Sequence, residues 1–348
     1  MLLYAVTVFL SAFLLFQLQP LIGRYLLPWF GGTPGVWTTC LLFFQTVLFV
    51  GIAAPLIFDG YREYPAGLLL CGALLIGLLG RDAKAPILRT LLVRAGNASL
   101  GLTNGRIQHG FQYQAPGKRG QPTSYHGEES GVGRALLHDP RREASLGLRI
   151  GVVGLGVGTL AAYVQPGDVI GSYEINPDVI ALSRGRAPRF TFLADAPGHV
   201  EVVEGDARLS LERELARHEP GRFDLLVLDA FSSDAVPVHL LTVEAFATYL
   251  EHLRDADAIL AVHASNRHVR LHPVLLGIAE RFGLAAVECD TKPDGHADPR
   301  SVWVLMSRRP EVLGRPGIAE ASVRLTGHGR RVPLWTDDDS DLFGTVVW

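Results

Sequence analysis

The stretch that decides the fold is IGVVGLGVGTLAAY, residues 150–163. A short apolar run enters glycines at 154, 156 and 158, and a helical pattern follows over 159–164. Strand, glycine turn and helix in that order make a cradle for a ligand at a helix N-terminus. The spacing is G-x-G-x-G, with Thr159 where the dinucleotide fingerprint G-x-G-x-x-G has its third glycine. No G-K-[ST] follows, which excludes a P-loop. The turn alone leaves three readings open. It could hold a dinucleotide, hold a nucleoside without pyrophosphate, or merely let a strand pack closely on a helix.

Outward from that turn the chain alternates. Apolar runs at 148–153, 168–175, 199–204, 223–230, 257–264, 284–289 and 301–306 read as strands. Helical patterns at 178–186, 207–217, 242–254 and 271–282 separate most of them. Alternating strands and helices predict an α/β fold with a mainly parallel, doubly wound sheet. Ligands of such sheets lie beyond the carboxyl ends of the strands, near the switch in strand order. Glu174 closes the second strand, twenty residues after Gly154, where its carboxylate can accept both ribose hydroxyl protons. Asp206 follows the third strand and can accept from an adenine amino group, while Ala207 offers a backbone N–H to the ring. Gly154, Gly156, Gly158, Glu174, Asp206 and Ala207 thus fit an adenosine without pyrophosphate. S-adenosylmethionine and its decarboxylated form match that description. Asp229 ends the fourth strand and Asp234 lies five residues on, across a Phe-Ser-Ser turn, where a transferred group would lie.

Upstream, residues 91–114 read as strands joined by a turn, because Asn104-Gly105 between apolar-rich runs is a hairpin signal. The Gly-rich loop QAPGKRGQPTSYHGEESG follows. The expected organisation is a membrane anchor over 1–80, a linker and β-hairpin subdomain over 81–140, and a nucleoside-binding catalytic domain over 141–348. The anchor rests on composition. The chain of 348 residues has a positive mean hydropathy, yet residues 1–80 hold only four charged side chains, Arg24, Asp59, Arg62 and Glu63. Segments 2–22 and 36–58 are long enough to cross a bilayer core of about 30 Å. Segment 64–79 is shorter, so three spans or two remain open. The first segment lacks the basic start and A-x-A-like site of a cleaved signal peptide.

Arg81, Lys84, Arg89 and Arg94 follow the third segment and place that side in the cytoplasm. The expected location is the inner (plasma) membrane, with the catalytic domain cytoplasmic. Three cysteines without zinc or disulfide spacing agree with a reducing compartment, and no metal is called for. The formal charge is zero over 1–80, +6 over 81–150 and −9 over 151–348. A basic segment beside the membrane suits anionic lipid. An acidic C-terminal part argues against nucleic acid and is compatible with a cationic substrate.

FLSAFLLFQLQPLIGRYLLPWFGGTPGVWTTCLLFFQ, GRIQHG, PTSYHGEESGVG, GLGVGTLAAY, YEINPDVI, GDARLSLERE, DAFSSDAVPVHLLT, VHASNRH and PLWTDDDSDL together resemble the polyamine aminopropyltransferase (spermidine synthase) family, in its bacterial membrane-fused form. The resemblance implies a Rossmann-like sheet of the S-adenosylmethionine-dependent transferase type, behind a small β-rich subdomain and transmembrane helices. It implies that Gln108 and Tyr125 face the nucleoside tail and the reacting centre, that Asp229 is the catalytic aspartate and that Asp234 is its substrate-binding partner. The implied reaction passes an aminopropyl group from decarboxylated S-adenosylmethionine to an amine such as putrescine, releasing methylthioadenosine. Asp229 would orient the amine and accept its proton.

The soluble synthases of the family have their two aspartates three apart and a glutamate directly after the tyrosine block. Here the aspartates are five apart and Tyr125-His126-Gly127 precedes Glu128. The acceptor amine is therefore open. An S-adenosylmethionine-dependent methyltransferase and a non-catalytic nucleoside or polyamine sensor stand as alternatives. The membrane part reads as an anchor or an oligomerisation element, which admits a homo-oligomer. His109, His126, His239 and His263 read as polar-loop or core histidines. Asp337, Asp338, Asp339 and Asp341 read as a solvated acidic tail, with Trp335 packing it onto the domain.

Overall fold

The computed structural model describes residues 91–95, 98–104, 107–230, 237–266, 269–292, 300–327 and 334–340, with the backbone path alone for 91–95, 104 and 107. The three apolar segments of 1–80 and Asp234 lie outside the described residues. Among the described residues no helix is long and apolar enough to cross a membrane.

Eleven described strands form two sheets. The small one has the order β1 (Leu91–Ala95), β2 (Ser99–Asn104), β3 (Ile107–Tyr113). Strands β2 and β3 pair antiparallel, with a register shift at Leu102/Thr103 and Asn104 opposite Ile107. The expected hairpin is present, but its register differs by one residue: Asn104 pairs with Ile107 and so belongs to the closing pair of the strands instead of the turn.

The large sheet contains β4 (Arg149–Val153), β5 (Val169–Glu174), β6 (His199–Glu204), β7 (Leu225–Leu228), β8 (Ile259–His263), β9 (Ala285–Thr291), β10 (Ser301–Ser307) and β11 (Val323–Arg324). Its order is β11-β9-β10-β8-β7-β4-β5-β6. Strands β4 to β8 run parallel. Strand β10 is antiparallel to both its neighbours, β8 and β9. The fold is an α/β Rossmann-like mixed sheet. The strands read from apolar runs are all present.

Helices α1 (Gly131–Leu137), α2 (Pro177–Arg184), α3 (Ala207–Ala216), α4 (Val243–His252) and α5 (His272–Phe282) are joined by several single turns of helix. The central strands β7 and β8 are buried at every position, as expected for strands covered on both faces. Ile150, Val227, Ile259, Trp303 and Leu305 belong to the main core, and Trp303 is 0 % exposed.

Two local expectations are corrected. The helix after the glycine turn is only a 3-10 turn, Thr159–Tyr163. Pro166 lies three residues on, and a proline disfavours helix in the residue before it, so the turn cannot extend. Conversely, α1 begins at the last residue of the Gly-rich loop and occupies a part of the chain expected to belong to a β-rich subdomain. Ser130 caps it, accepting from the Gly133 N–H at 3.1 Å. A Cβ on Gly131 would stand 2.6 Å from the Trp303 Cβ, so glycine is needed for α1 to lie against β10.

The topology fixes the site. From β4 the chain builds outward through β5 and β6, then returns to the other flank for β7 and β8. Strand β4 is therefore the switch point. The turn leaving it lies between the carboxyl ends of β5 and β7.

Candidate active site

Gly154, Gly156 and Gly158 have φ of 99°, 55° and 80°, all in the left-handed region. The Gly154 N–H donates to the Tyr173 carbonyl at 2.9 Å on the β5 side. On the β7 side, a Gly154 Cβ would stand 2.5 Å from the Asp229 carbonyl oxygen. The turn is thus wedged between β5, which ends in Glu174, and the segment leaving β7, which begins with Asp229. Strand β3 of the small sheet also lies against it, because a Gly156 Cβ would be 2.9 Å from the His109 carbonyl oxygen. Behind the turn, Asp229, His126, Gly154 and Thr159 help enclose a cavity of only about 10 Å³, the size of one water. A nucleoside would therefore lie across the open side of the turn.

Glu174 accepts from the Leu155 N–H at 3.0 Å and the Asn176 N–H at 2.8 Å. The lone pair left over by these backbone donors and the Ile175 N–H could take a hydroxyl proton. Burial raises the Glu174 pKa above the ordinary glutamate value, against the opposing pull of backbone N–H groups. Asp206 is the N-cap of α3 and accepts from the Leu209 N–H at 2.9 Å. Its other oxygen lies 3.1 Å from His239 Nε2. Burial works to raise the Asp206 pKa, but His239 and the helix N–H donors outweigh it and hold the group below its usual range. Ala207 is the first residue of α3, where helix geometry leaves the N–H without an intrahelical acceptor. Ile175 and Leu209 are 55 % and 48 % exposed beside these two carboxylates. These groups could hold the ribose and base of an adenosine.

Asp229 follows β7 directly, and its side chain is 18 % exposed. One carboxylate oxygen lies 2.6 Å from His126 Nε2, and the other lies 2.6 Å from His263 Nδ1. Burial alone would raise the Asp229 pKa. The charges and hydrogen bonds of His263 and His126 outweigh that and hold the carboxyl far below the usual carboxylate range. His263 is the last residue of β8, the strand beside β7, and its Nε2 lies 2.8 Å from Ser265 Oγ. His126 comes from a 3-10 turn, Ser124–His126, where Ser124 has φ 62°. The same turn brings the Tyr125 ring to 4.9 Å from His263.

The turn that carries Tyr125 and His126 is pinned by its carbonyls. Tyr125 O accepts from Trp303 Nε1 at 2.9 Å and from Ser301 Oγ at 3.0 Å. His126 O accepts from the Tyr163 hydroxyl at 2.6 Å. Among the described residues, no group of three or more histidine, cysteine or acidic side chains is arranged to hold a metal ion.

Tyr125 and Asp229 are therefore at one end of the crevice, with Glu174, Asp206 and Ala207 at the other. The Gln108 amide nitrogen lies across β2, 3.2 Å from where a Gly101 Cβ would be. His126 and His263 are buried, as a core histidine would be, and His239 is half-buried; what the sequence reading did not anticipate is that each bonds to a carboxylate of the crevice. The signal for His263 was present. It is a polar residue ending an apolar strand, which is where ligand-facing groups of this architecture lie.

The solvated-tail reading is corrected for Asp337. Its carboxylate accepts from both terminal guanidinium nitrogens of Arg208 at 2.6 Å and from the Thr242 hydroxyl at 2.8 Å. Arg208 lies in α3, two residues after Asp206. Trp335 is wholly buried, as expected of a residue that packs the tail.

No family model matches the chain. Over 125 residues it is 31 % identical to an N-terminal histidine N-methyltransferase of Emericella nidulans, covering 36 % of this chain and 21 % of that protein. Over 130 residues it is 29 % identical to a polyamine aminopropyltransferase of Vibrio vulnificus, covering 36 % of this chain and 39 % of that protein. The chain thus spans less than half the length of either curated relative. Among solved structures it overlaps human methyltransferase-like protein 13 in complex with SAH, with a TM-score of 0.42, 19 % identity, and 55 % and 85 % of the two chains covered. It also overlaps a TehB-like SAM-dependent methyltransferase from Corynebacterium glutamicum, with a TM-score of 0.32, 16 % identity, and 50 % and 88 % covered. The strand order, rather than these overlaps, defines the fold.

Proposed function

We propose that this chain is an S-adenosylmethionine-type transferase, specifically an aminopropyltransferase that uses decarboxylated S-adenosylmethionine and a small amine such as putrescine. The observation that carries the reading is the placement of two carboxylates on opposite flanks of one glycine turn. Glu174 suits the ribose and Asp229 suits a cationic acceptor. In the reaction the amine lone pair attacks the propyl carbon beside the sulfonium. The C–S bond breaks, and its electron pair stays on sulfur to leave neutral methylthioadenosine. That leaving group needs no acid, so the protein's contribution is alignment and charge. Asp206 and Ala207 would take the adenine edge. Tyr125 would face the reacting centre, with Gln108 toward the nucleoside tail and Asp234 as a second amine contact. The similarity to a polyamine aminopropyltransferase supports this reading, as does the acidic charge of the C-terminal part.

In this proposal the apolar segments of 1–80 hold the transferase at the inner face of the plasma membrane, in contact with lipid. A second reading, methyl transfer from S-adenosylmethionine, draws on the similarity to an N-methyltransferase. The same glycine, Glu174 and Asp206 groups would serve it. The test incubates the purified full chain with each nucleoside donor and a panel of amines, and identifies both products by mass spectrometry. Methylthioadenosine with an aminopropylated amine supports the proposal. S-adenosylhomocysteine with a methylated product replaces it with the second reading. Nucleoside binding without turnover leaves a sensor.

A further inference from the structure

We infer that His126 and His263 are positioning residues that clamp Asp229 as a fixed anion, which anchors the cationic end of the acceptor instead of taking its proton. The inference rests on the transferase reading above and deepens it. A carboxylate only accepts when ionised, so each nitrogen facing Asp229 carries hydrogen. Contacts of 2.6 Å on both oxygens are at the short end for charge-assisted hydrogen bonds. Together they fix the plane of the carboxylate as well as its charge.

The clamp is itself held from behind. The His263 ring stacks on Trp303 with centroids 4.7 Å apart and planes 17° apart. Its far nitrogen meets Ser265 Oγ, which also accepts the Val302 N–H at 2.8 Å. The His126 backbone is tied to Tyr163 as described. The titratable groups around Asp229 among the described residues include His126 and Tyr125 from the turn Ser124–His126, His263 from β8, and His109 from β3. The His109 ring is buried enough to lower its pKa, with Asp229 as the opposing charge.

A carboxylate so stabilised is a weak base. It can still accept a hydrogen bond on its remaining lone pairs, because part of its side chain is open to the crevice. The ammonium at one end of a diamine docked there is oriented and keeps its proton, while the nitrogen at the other end is the one that attacks. The nucleophile is the neutral fraction of the amine, whose proton has gone to water, so the rise of the rate with pH follows the amine's own pKa.

The experiment uses amide substitutes chosen by bond count. An asparagine amide nitrogen lies as many bonds from Cβ as His263 Nδ1, and a glutamine amide nitrogen as many as His126 Nε2. His263→Asn and His126→Gln therefore keep the donor, while His263→Phe and His126→Phe remove it. Each Phe variant should lower kcat by about 10- to 100-fold, the worth of one hydrogen bond to a charged group, with KM for the nucleoside little changed. The matching amide variant should recover most of that loss.

Carbon-13 NMR of labelled aspartate carboxyls, with Asp229 assigned through Asp229→Asn, reads the clamp without turnover. In the parent chain and the amide variants, Asp229 should stay ionised to the lowest pH the fold survives. In the Phe variants it should titrate at higher pH. An Asp229 that titrates in the ordinary range in the parent chain overturns the inference, as does equal loss in the Phe and amide variants. Absence of any transfer by the parent chain refutes the reaction reading instead, and the NMR result still decides the clamp.

Discussion

Gly154→Ala is the substitution whose cost the structure sets most directly. A side chain at φ 99° leaves the allowed region for L-residues, at about 1–2 kcal/mol. The new Cβ would also stand 2.5 Å from the Asp229 carbonyl oxygen, where ordinary contact begins at 3.4 Å, so the two segments must part by about 0.9 Å. Overpacking of that kind costs about 1–3 kcal/mol. Loss of glycine freedom in the unfolded chain offsets about 0.4–1 kcal/mol. The net expectation is about 1–5 kcal/mol of destabilisation, centred near 3 kcal/mol. The group pushed aside is the backbone of Asp229, and a misplacement near 1 Å costs about 100-fold in rate.

Pulse proteolysis of the full chain across a urea series measures the first effect, expected as a midpoint lowered by about 1 M or more. Product formation measures the second. Gly171→Ala is the control, because Gly171 is a glycine of β5 whose Cβ would meet nothing within 4 Å. If the two alanine variants unfold at the same urea concentration, the steric reading of the glycine turn is refuted.

Two further outcomes concern the C-terminal segment. Trp335→Ala removes a side chain with 0 % exposure, and a loss of about 3–5 kcal/mol is expected. Limited proteolysis should then cut near residue 337 at a rate well above the parent's. Asp337 is held below the ordinary aspartate pKa, first by its hydrogen bond to Arg208 and also by Thr242. A lowered acid pKa means the contact stabilises fully above the unfolded value. That stabilisation is lost as pH falls through the usual carboxylate range toward the lowered value. Hydrogen exchange over 334–340, corrected for its intrinsic pH dependence, should therefore speed up below about pH 4. The acceleration should be absent in Asp337→Asn, and an unchanged acceleration there would assign it elsewhere.

The strands were legible because each is a short, nearly continuous apolar run, the pattern a sheet covered on both faces demands. The hairpin was legible from Asn-Gly. Helix α1 was not, since two of its seven residues are glycine and its reason to form is the close approach to β10. Strand β11 has two exposed residues and no pattern to read. The strand-end rule located Glu174, Asp206 and Asp229 because it needs only local order along the chain. The histidine partners of Asp229 needed more, being 103 residues away for His126 and 34 for His263.

The amino-acid order by itself determined the alternation of strands and helices, the glycine turn, and the carboxylates at three strand ends. Propensity and periodicity act within a few residues, and these features depend on nothing further away. The strand order was decided only by tertiary packing, and with it the meeting of His126, Asp229 and His263 and the pairing of Arg208 with Asp337 across 129 residues. Those contacts exist because β7 lies beside β8 and the C-terminal segment returns to α3. Such neighbours are chosen by burial of the whole apolar surface, which no local stretch of sequence encodes.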